Sequence, residues 1–274
     1  MKYSLPRPPG PEWDGHLLLL HGSEAERLSS LAAWICRGLD HGDKVVYAEV
    51  PRTAGESVLD SPDGCGVEFA AAVADGRLVA LPLERFYSRG DQESVVDQAL
   101  AEGFRSVRMA TEASATFGTE SWSAYLDIER TIDRLCRTRP VSALCQYAHA
   151  ATAPATLREL VAVHRARLRH SALNMASDPR GLVLSGEIDC GNADAFAAAL
   201  AIASACGERM LRLDLTALEF MDVTACRQLL HASHGFRQAG GHVILEAPRW
   251  MVSWTLRLLG IDQFAGIDLL GGEQ

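Results

Sequence analysis

Short apolar runs alternate with longer amphipathic segments along most of the chain. The leucine run in residues 16–20 predicts a buried strand, and residues 23–39 then repeat apolar side chains at helical spacing. Ser23 and Glu26 have the spacing of a capping box. We therefore expect a helix that begins at Ser23, with Gly42 turning the chain toward the next strand.

The same alternation continues as far as residue 147. Further strands are predicted at residues 44–50, 78–81, 106–110 and 141–147. Helices are predicted between them at residues 67–74, 91–102 and 122–137. Repeated strand–helix units with uninterrupted apolar strands are typical of a mostly parallel sheet covered on both faces. The pattern therefore predicts a doubly wound α/β domain.

The periodicity restarts near Ala172, after a segment, residues 154–170, that is predicted to be helical and ends in a basic cluster. Beyond a turn at residues 177–181, strands are predicted at residues 181–185, 210–215 and 242–246. Helices are predicted at residues 192–205, 222–239 and 248–259. We therefore predict a flexible arm at residues 1–14, a first domain at residues 15–171 and a smaller α/β domain at residues 172–274.

Composition and charge limit the classes of function and partner that the chain can have. The chain is 48% hydrophobic and 22% charged, which is normal for a folded globular protein, and its net charge is −9. An acidic total argues against nucleic acid as a partner, so we interpret the basic stretch at residues 158–170 as a solvated helix face. The seven cysteines are scattered without a CxxC pair, which predicts free thiols and no metal site. The sequence shows no signal segment and no apolar run long enough to span a membrane, so we expect a cytoplasmic protein with no membrane partner.

Two motifs of the second domain stand together. Residues 186–189 (GEID), with Asn192, follow its first strand, and residues 214–225 (DLTALEFMDVTA) join the next strand to a helix. These motifs resemble the STAS domain of bacterial anti-sigma-factor antagonists. The resemblance implies that Thr224 is the phosphorylation site and that Asp222 and Asp189 are its acidic neighbours. It also implies that Asp189, Asp222, Val223 and Thr224 bind an anti-sigma factor, a serine–threonine kinase of the GHKL type.

Physical chemistry is consistent with that implication. A hydroxyl in the first turn of a helix faces the positive end of the macrodipole, where a phosphate is partly stabilised. Nearby carboxylates would repel the added charge and change the binding face. The alternative is that Asp222 and Thr224 only cap the helix. Val223 also departs from the small polar residue that is common before the acceptor in the family, and Cys226 or Ala225 stands where glycine is frequent.

The first domain resembles the MEDS domain, a sensory module proposed to detect small molecules such as hydrocarbon derivatives. The similarity is carried by residues 99–108, Glu112, Trp122, Tyr125, Glu129 and residues 144–147. It implies a RecA-like fold, but the loop after the first strand lacks a GxxxxGK[ST] motif, and the only lysines are Lys2 and Lys44. We therefore expect no NTPase activity and no cofactor.

A ligand would lie at the carboxyl ends of the strands, as in other open α/β sheets. The residues that we assign to this site are His21, Arg108, Glu112, Glu129, Cys145 and Tyr147. The alternative is that the cysteine and tyrosine belong to the core and that the charged residues form surface pairs.

The two resemblances together imply a non-enzymatic transcription regulator. In this hypothesis a small-molecule sensor precedes a domain that sequesters an anti-sigma factor until Thr224 is phosphorylated. The alternative hypothesis is a ligand-binding sensor whose STAS domain only docks or dimerises. A homodimer is compatible with both.

Overall fold

The computed structural model describes residues 14–50, 66–88, 90–117, 121–165, 168–170, 172–178, 181–205 and 209–271. The predicted arm, apart from Asp14, lies outside the described residues. Two compact units divide the chain, Met1–Ala151 and Thr152–Gln274. This division precedes the helix that begins at Pro154, whereas our predicted boundary follows residue 171. Within the part of the chain that the structure describes, no helix combines the length and the apolar character needed to cross a membrane.

In the first unit, the described residues form a parallel sheet of five strands and the helices that pack on it. The strands are β1 (His16–His21), β2 (Lys44–Glu49), β3 (Leu78–Pro82), β4 (Val107–Thr111) and β5 (Val141–Ala148). The helices are α1 (Glu24–His41), α2 (Gly66–Ala74), α3 (Leu83–Phe86), α4 (Asp91–Ala101) and α5 (Trp122–Thr138). The order is β1-β5-β4-β2-β3, with every adjacent pair parallel. This arrangement confirms the predicted α/β class.

Local sequence signals set the ends of α1. Ser23 caps the helix by accepting a hydrogen bond from the Glu26 amide, and Glu26 accepts one in return from the Gly22 amide. Gly42 ends the helix in the left-handed conformation, with φ of 75°. The helix therefore follows β1 directly and lies on one face of the sheet.

The two faces of the first sheet carry different residues because successive side chains of a strand point to opposite sides. Leu17, Leu19 and Tyr47 pack on the α1 side, in a buried core that includes Trp34. Cys145 and Tyr147 point to the other side, where they contact Glu129 of α5. Both faces of this sheet are therefore covered, as the apolar strands predict.

In the second unit, the part of the chain that the structure describes forms a mixed sheet of six strands with helices around it. The strands are β6 (Leu168–His170), β7 (Leu173–Asp178), β8 (Gly181–Ile188), β9 (Met210–Met221), β10 (His242–Glu246) and β11 (Ile267–Leu270). The helices are α6 (Pro154–Val163), α7 (Ala193–Ser204), α8 (Val223–Ala232), α9 (His234–Gln238) and α10 (Trp250–Leu258). Strands β6, β7 and β8 pair antiparallel, while β8, β9, β10 and β11 pair parallel.

Three sequence predictions for the second unit are wrong. The helix predicted to reach residue 170 ends at Val163, and β6 and β7 follow as an antiparallel pair. Strand β9 continues to Met221 because residues 217–221 pair with β8. The helix predicted for residues 222–239 divides into α8 and α9 at Ser233, whose hydroxyl donates to the Leu229 carbonyl. The pairing of β6 with β7, its neighbour in the chain, decides the first, and the pairing of β9 with β8, more distant in the sequence, decides the second. Helical periodicity reveals neither pairing.

Candidate functional site

The first candidate site lies at the carboxyl ends of β8 and β9. Ile188 and Met221 are the last residues of these strands and pair with each other in the sheet. The Asp222 amide donates a hydrogen bond to the Ile188 carbonyl at 3.0 Å. Asp189 and Asp222 therefore follow neighbouring strands at one edge of the sheet. Helix α8 begins immediately after Asp222.

Both carboxylates at this edge organise the backbone. Asp222 Oδ1 accepts the Ala225 amide at 2.7 Å and so caps α8. Asp189 Oδ1 accepts the Gly191 amide at 2.8 Å, and the Asp189 amide donates to Asn192 Oδ1. The capping interpretation of Asp222 is therefore correct, while Thr224 is not the cap but the second residue of the helix and is exposed.

Val223 and Thr224 complete an exposed edge beside the two carboxylates. Val223 is 54% exposed, and Phe220, near the end of β9, is 37% exposed. The four residues predicted to bind a partner thus lie at one edge, with acidic, apolar and hydroxyl groups side by side. This combination suits a protein surface better than a pocket for a small ligand.

A basic groove begins at Thr224 and was missed by the sequence analysis. It encloses about 1270 Å³ and runs along α8 and α9. Arg227, His231 and Arg237 line it together with Thr224. The spacing of residues 224, 227 and 231 places these side chains on one helix face, and this periodicity was the available signal.

The second candidate site is a buried polar cluster on the α5 side of the first sheet. Glu129 has no exposed surface, and its Oε1 accepts hydrogen bonds from the hydroxyls of Tyr125 at 2.7 Å and Tyr147 at 2.9 Å. Its Oε2 lies 3.2 Å from His16 Nε2 and 3.5 Å from Cys145 Sγ. The structure therefore brings together Glu129, Cys145 and Tyr147, three of the six residues assigned to the ligand site, and adds His16.

Burial and the Glu129 carboxylate govern ionisation in this cluster. Burial first, and the negative charge of Glu129 second, raise the pKa values of Tyr125, Tyr147 and Cys145 well above their usual ranges. The hydroxyls and the thiol therefore remain protonated near neutral pH in the structure as it stands. Protonated hydroxyls are what the buried carboxylate needs as donors.

Tyr87 connects this cluster to a cavity. Its hydroxyl lies 3.1 Å from Thr111 Oγ1 and 3.5 Å from Glu129 Oε1, and its ring stacks on that of Tyr125. The same residue lines a cavity of about 1040 Å³ that also includes Val50 and Thr116. Val50 follows β2, so the cavity lies at the carboxyl ends of the strands, where we expected a ligand.

A separate cluster on the α1 side contains the buried His21 and the half-buried Glu112. Its centre is Arg27, which is 1% exposed, donates to Tyr47 at 2.8 Å and lies 3.9 Å from Glu112. Burial, followed by the charge of Arg27, lowers the pKa of His21. His21 Nε2 is buried and has no hydrogen-bond partner among the described residues.

Arg108 lies apart from both clusters. Arg108 lies near the amino end of β4. Its guanidinium pairs with Asp43 at 3.0 Å and with Asp14 at 2.7 Å, and its Cζ lies 4.4 Å above the centre of the Trp34 ring. These contacts explain why a charged side chain is buried there. The structure therefore does not bring Arg108 together with the other five residues assigned to the ligand site.

Comparison with known families assigns both units. The model of the MEDS family, described as the methanogen/methylotroph, DcmR sensory domain, matches residues 15–165, more than half of the chain. The chain belongs to the MEDS family. A second family model, the STAS domain, matches residues 175–269. The predicted MEDS and STAS domains are thus confirmed, and the pairing of a sensory domain with a STAS domain supports a regulatory role.

Solved structures show weaker similarity. An anti-sigma factor antagonist from Mycobacterium paratuberculosis is 23% identical over 35% of this chain and 83% of its own, with a TM-score of 0.29. The flagellar accessory protein FlaH from Methanocaldococcus jannaschii is 12% identical over 61% of this chain and 74% of its own, with a TM-score of 0.40. A comparison with curated proteins finds no match. The assignment of the MEDS and STAS domains therefore rests on the two family matches.

Proposed function

We propose that this protein is a non-enzymatic, cytoplasmic regulator of bacterial transcription. Its STAS domain binds an anti-sigma factor of the GHKL kinase type through Asp189, Asp222, Val223 and Thr224, and phosphorylation of Thr224 ends that binding. Its MEDS domain receives a small-molecule signal. The observation that carries the proposal is the exposed hydroxyl of Thr224 in the first turn of α8, beside a capping carboxylate.

The position of Thr224 suits a charge switch. Asp222 already satisfies the Ala225 amide, so a phosphate on Thr224 would add about two negative charges beside an acidic group that is already bonded. Arg227, one turn further along α8, borders the same groove as Thr224. Phosphate is therefore repelled on the side of the carboxylates and attracted toward the groove. This asymmetry would change the partner surface without unfolding the helix.

Phosphate mapping tests the switch. The full chain is incubated with ATP and candidate cognate kinases, and labelled sites are identified by mass spectrometry. Thr224→Ala should remove the label, whereas the matched control Thr216→Ala, at another exposed threonine of the same domain, should keep it. Thr224→Glu should weaken binding of the anti-sigma factor relative to Thr224→Ala. Unlabelled Thr224, together with equal binding by both variants, would instead make the STAS domain a docking module.

For the sensory half, we propose that the cavity beside Tyr87 holds the ligand. Tyr87 joins the cavity to Glu129, Cys145 and Tyr147 through its hydroxyl, so a ligand that moves this ring would alter the buried cluster. His21 and Glu112 lie in the Arg27 cluster on the other face of the sheet. Neither residue lines this cavity, so both lie outside the proposed ligand site.

A thermal-shift screen of the full chain against small apolar molecules and nucleotides tests this assignment. Ile128→Trp fills the cavity and should abolish the shift given by a wild-type ligand. Val73→Trp introduces the same side chain at an exposed position of α2 and should leave the shift intact. Equal shifts in both variants would place the ligand elsewhere, even if the Thr224 switch is correct.

A further inference from the structure

Three potential metal donors converge inside the first unit. His16 begins β1, Glu129 lies on α5 and Cys145 lies on β5; their side chains are 3%, 0% and 0% exposed. His16 Nε2 and Glu129 Oε2 are 3.2 Å apart, and Cys145 Sγ is 3.5 Å from each of these atoms. One nitrogen, one oxygen and one sulfur thus form a small triangle in a protein core.

The dimensions of this triangle match those of a tetrahedral metal site. Zinc binds nitrogen and carboxylate oxygen at about 2.0–2.2 Å and thiolate sulfur at about 2.3 Å, so its donors are separated by roughly 3.2–3.8 Å. The three observed distances fall within this interval. An ion slightly outside the plane of the triangle would reach all three donors with little movement of the side chains.

The two oxygens of Glu129 have different partners, and this difference separates a ligand from an ordinary buried acid. Tyr125 and Tyr147 donate to Oε1, whereas His16 and Cys145 face Oε2. Metal-binding carboxylates are commonly oriented by hydrogen bonds to the oxygen that does not bind the ion. The tyrosines therefore hold Glu129 in the orientation that a monodentate ligand requires.

We propose that His16, Glu129 and Cys145 bind a divalent transition-metal ion, with zinc as the best fit to one nitrogen, one oxygen and one sulfur donor. Binding would release the Cys145 proton to solvent, and the thiolate and carboxylate charges would then be balanced by the cation. The ion would join β1, β5 and α5 at the centre of the MEDS domain. This proposal does not depend on Thr224 or on the ligand of the cavity.

Sequence spacing does not reveal such a site. The three residues lie 113 and 16 positions apart, since Glu129 follows His16 by 113 and Cys145 follows Glu129 by 16. Zinc motifs known by spacing place their ligands a few residues apart. Our expectation of no metal site rested on that spacing, whereas β1, β5 and the helix α5 that packs on them bring the three donors together.

Metal binding by the intact, chelator-treated chain is the test. Zinc content is measured by inductively coupled plasma mass spectrometry after dialysis, and cobalt is titrated while thiolate-to-metal charge-transfer absorption is recorded. We expect about one tightly bound ion per chain. Cys145→Ser should remove the charge-transfer band, and His16→Gln and Glu129→Gln should each weaken affinity at least about 10-fold.

Two further variants keep the test decisive. Cys226→Ser removes a buried thiol of the STAS domain and should leave stoichiometry and the band unchanged. Tyr125→Phe keeps all three donors and should preserve the band while lowering affinity about 10-fold. Circular dichroism confirms that each variant is folded. Absence of tight binding by the folded wild type, or an unchanged band in Cys145→Ser, would overturn the proposal.

Discussion

The two halves of the molecule place their charged groups in opposite ways. In the MEDS domain, Glu129 and Arg27 are buried and each is bonded to several side chains. In the STAS domain, Asp189 and Asp222 lie at a half-exposed strand edge and bond mainly to backbone amides. A buried charge depends on every partner around it, whereas an edge carboxylate can lose or gain a neighbour at small cost. The first arrangement suits reception of a signal and the second suits its transmission to another protein.

Removal of Glu129 should give the largest effect. Glu129→Ala leaves the hydroxyls of Tyr125 and Tyr147 without their acceptor inside the core. We expect the free energy of unfolding to fall by about 3–5 kcal/mol, measured by denaturant titration in the presence of chelator. Glu129→Gln retains an acceptor oxygen and should cost less. Equal costs for the two variants would mean that the core requires the carboxylate charge, which both variants remove, and not an acceptor oxygen or the side-chain volume.

Removal of the Asp222 cap should be milder. Asp222→Ala deprives the Ala225 amide of its acceptor at the start of α8, and caps of this kind contribute about 1 kcal/mol. Asp222→Asn can still accept that hydrogen bond and is the matched control. Chemical denaturation of the full chain measures both. A loss as large as that of Glu129→Ala would remove the contrast between the buried cluster and the edge.

His21 should make stability depend on pH. Its pKa is lowered in the folded protein by burial and by Arg27, against the opposing charges of Glu24 and Glu26. The unfolded chain therefore binds a proton that the folded chain resists, so stability is fully present above about pH 6.5 and declines as the pH falls below it. His21→Gln should flatten the decline of the melting temperature below that pH. An unchanged slope would assign the acid sensitivity to other groups.

Part of the fold and of the candidate sites could be predicted from the sequence, and part could not. Apolar runs and capping signals locate β1 and α1, and a motif locates Thr224, because each depends on neighbouring residues. The extension of β9 along β8 and the convergence of His16 with Glu129 depend on partners distant in the chain. Arg108 was assigned to the ligand site because it lies in a segment that resembles the MEDS family. Its ion pairs with Asp14 and Asp43, which hold it away from the other assigned residues, could not be read from that resemblance.

Substitution of Thr224 should have the smallest effect on stability. Asp222, not Thr224, caps α8, and Thr224 is exposed, so Thr224→Ala should change the free energy of unfolding by no more than about 0.5 kcal/mol. Thr224→Glu adds a negative charge near the positive end of the helix and should be neutral or slightly stabilising. A clear destabilisation by Thr224→Ala would show that the hydroxyl has a structural role. Near-neutral stability combined with altered partner binding would instead show that the charge at this edge can change without destabilising the STAS domain. A phosphorylation switch at Thr224 requires this property.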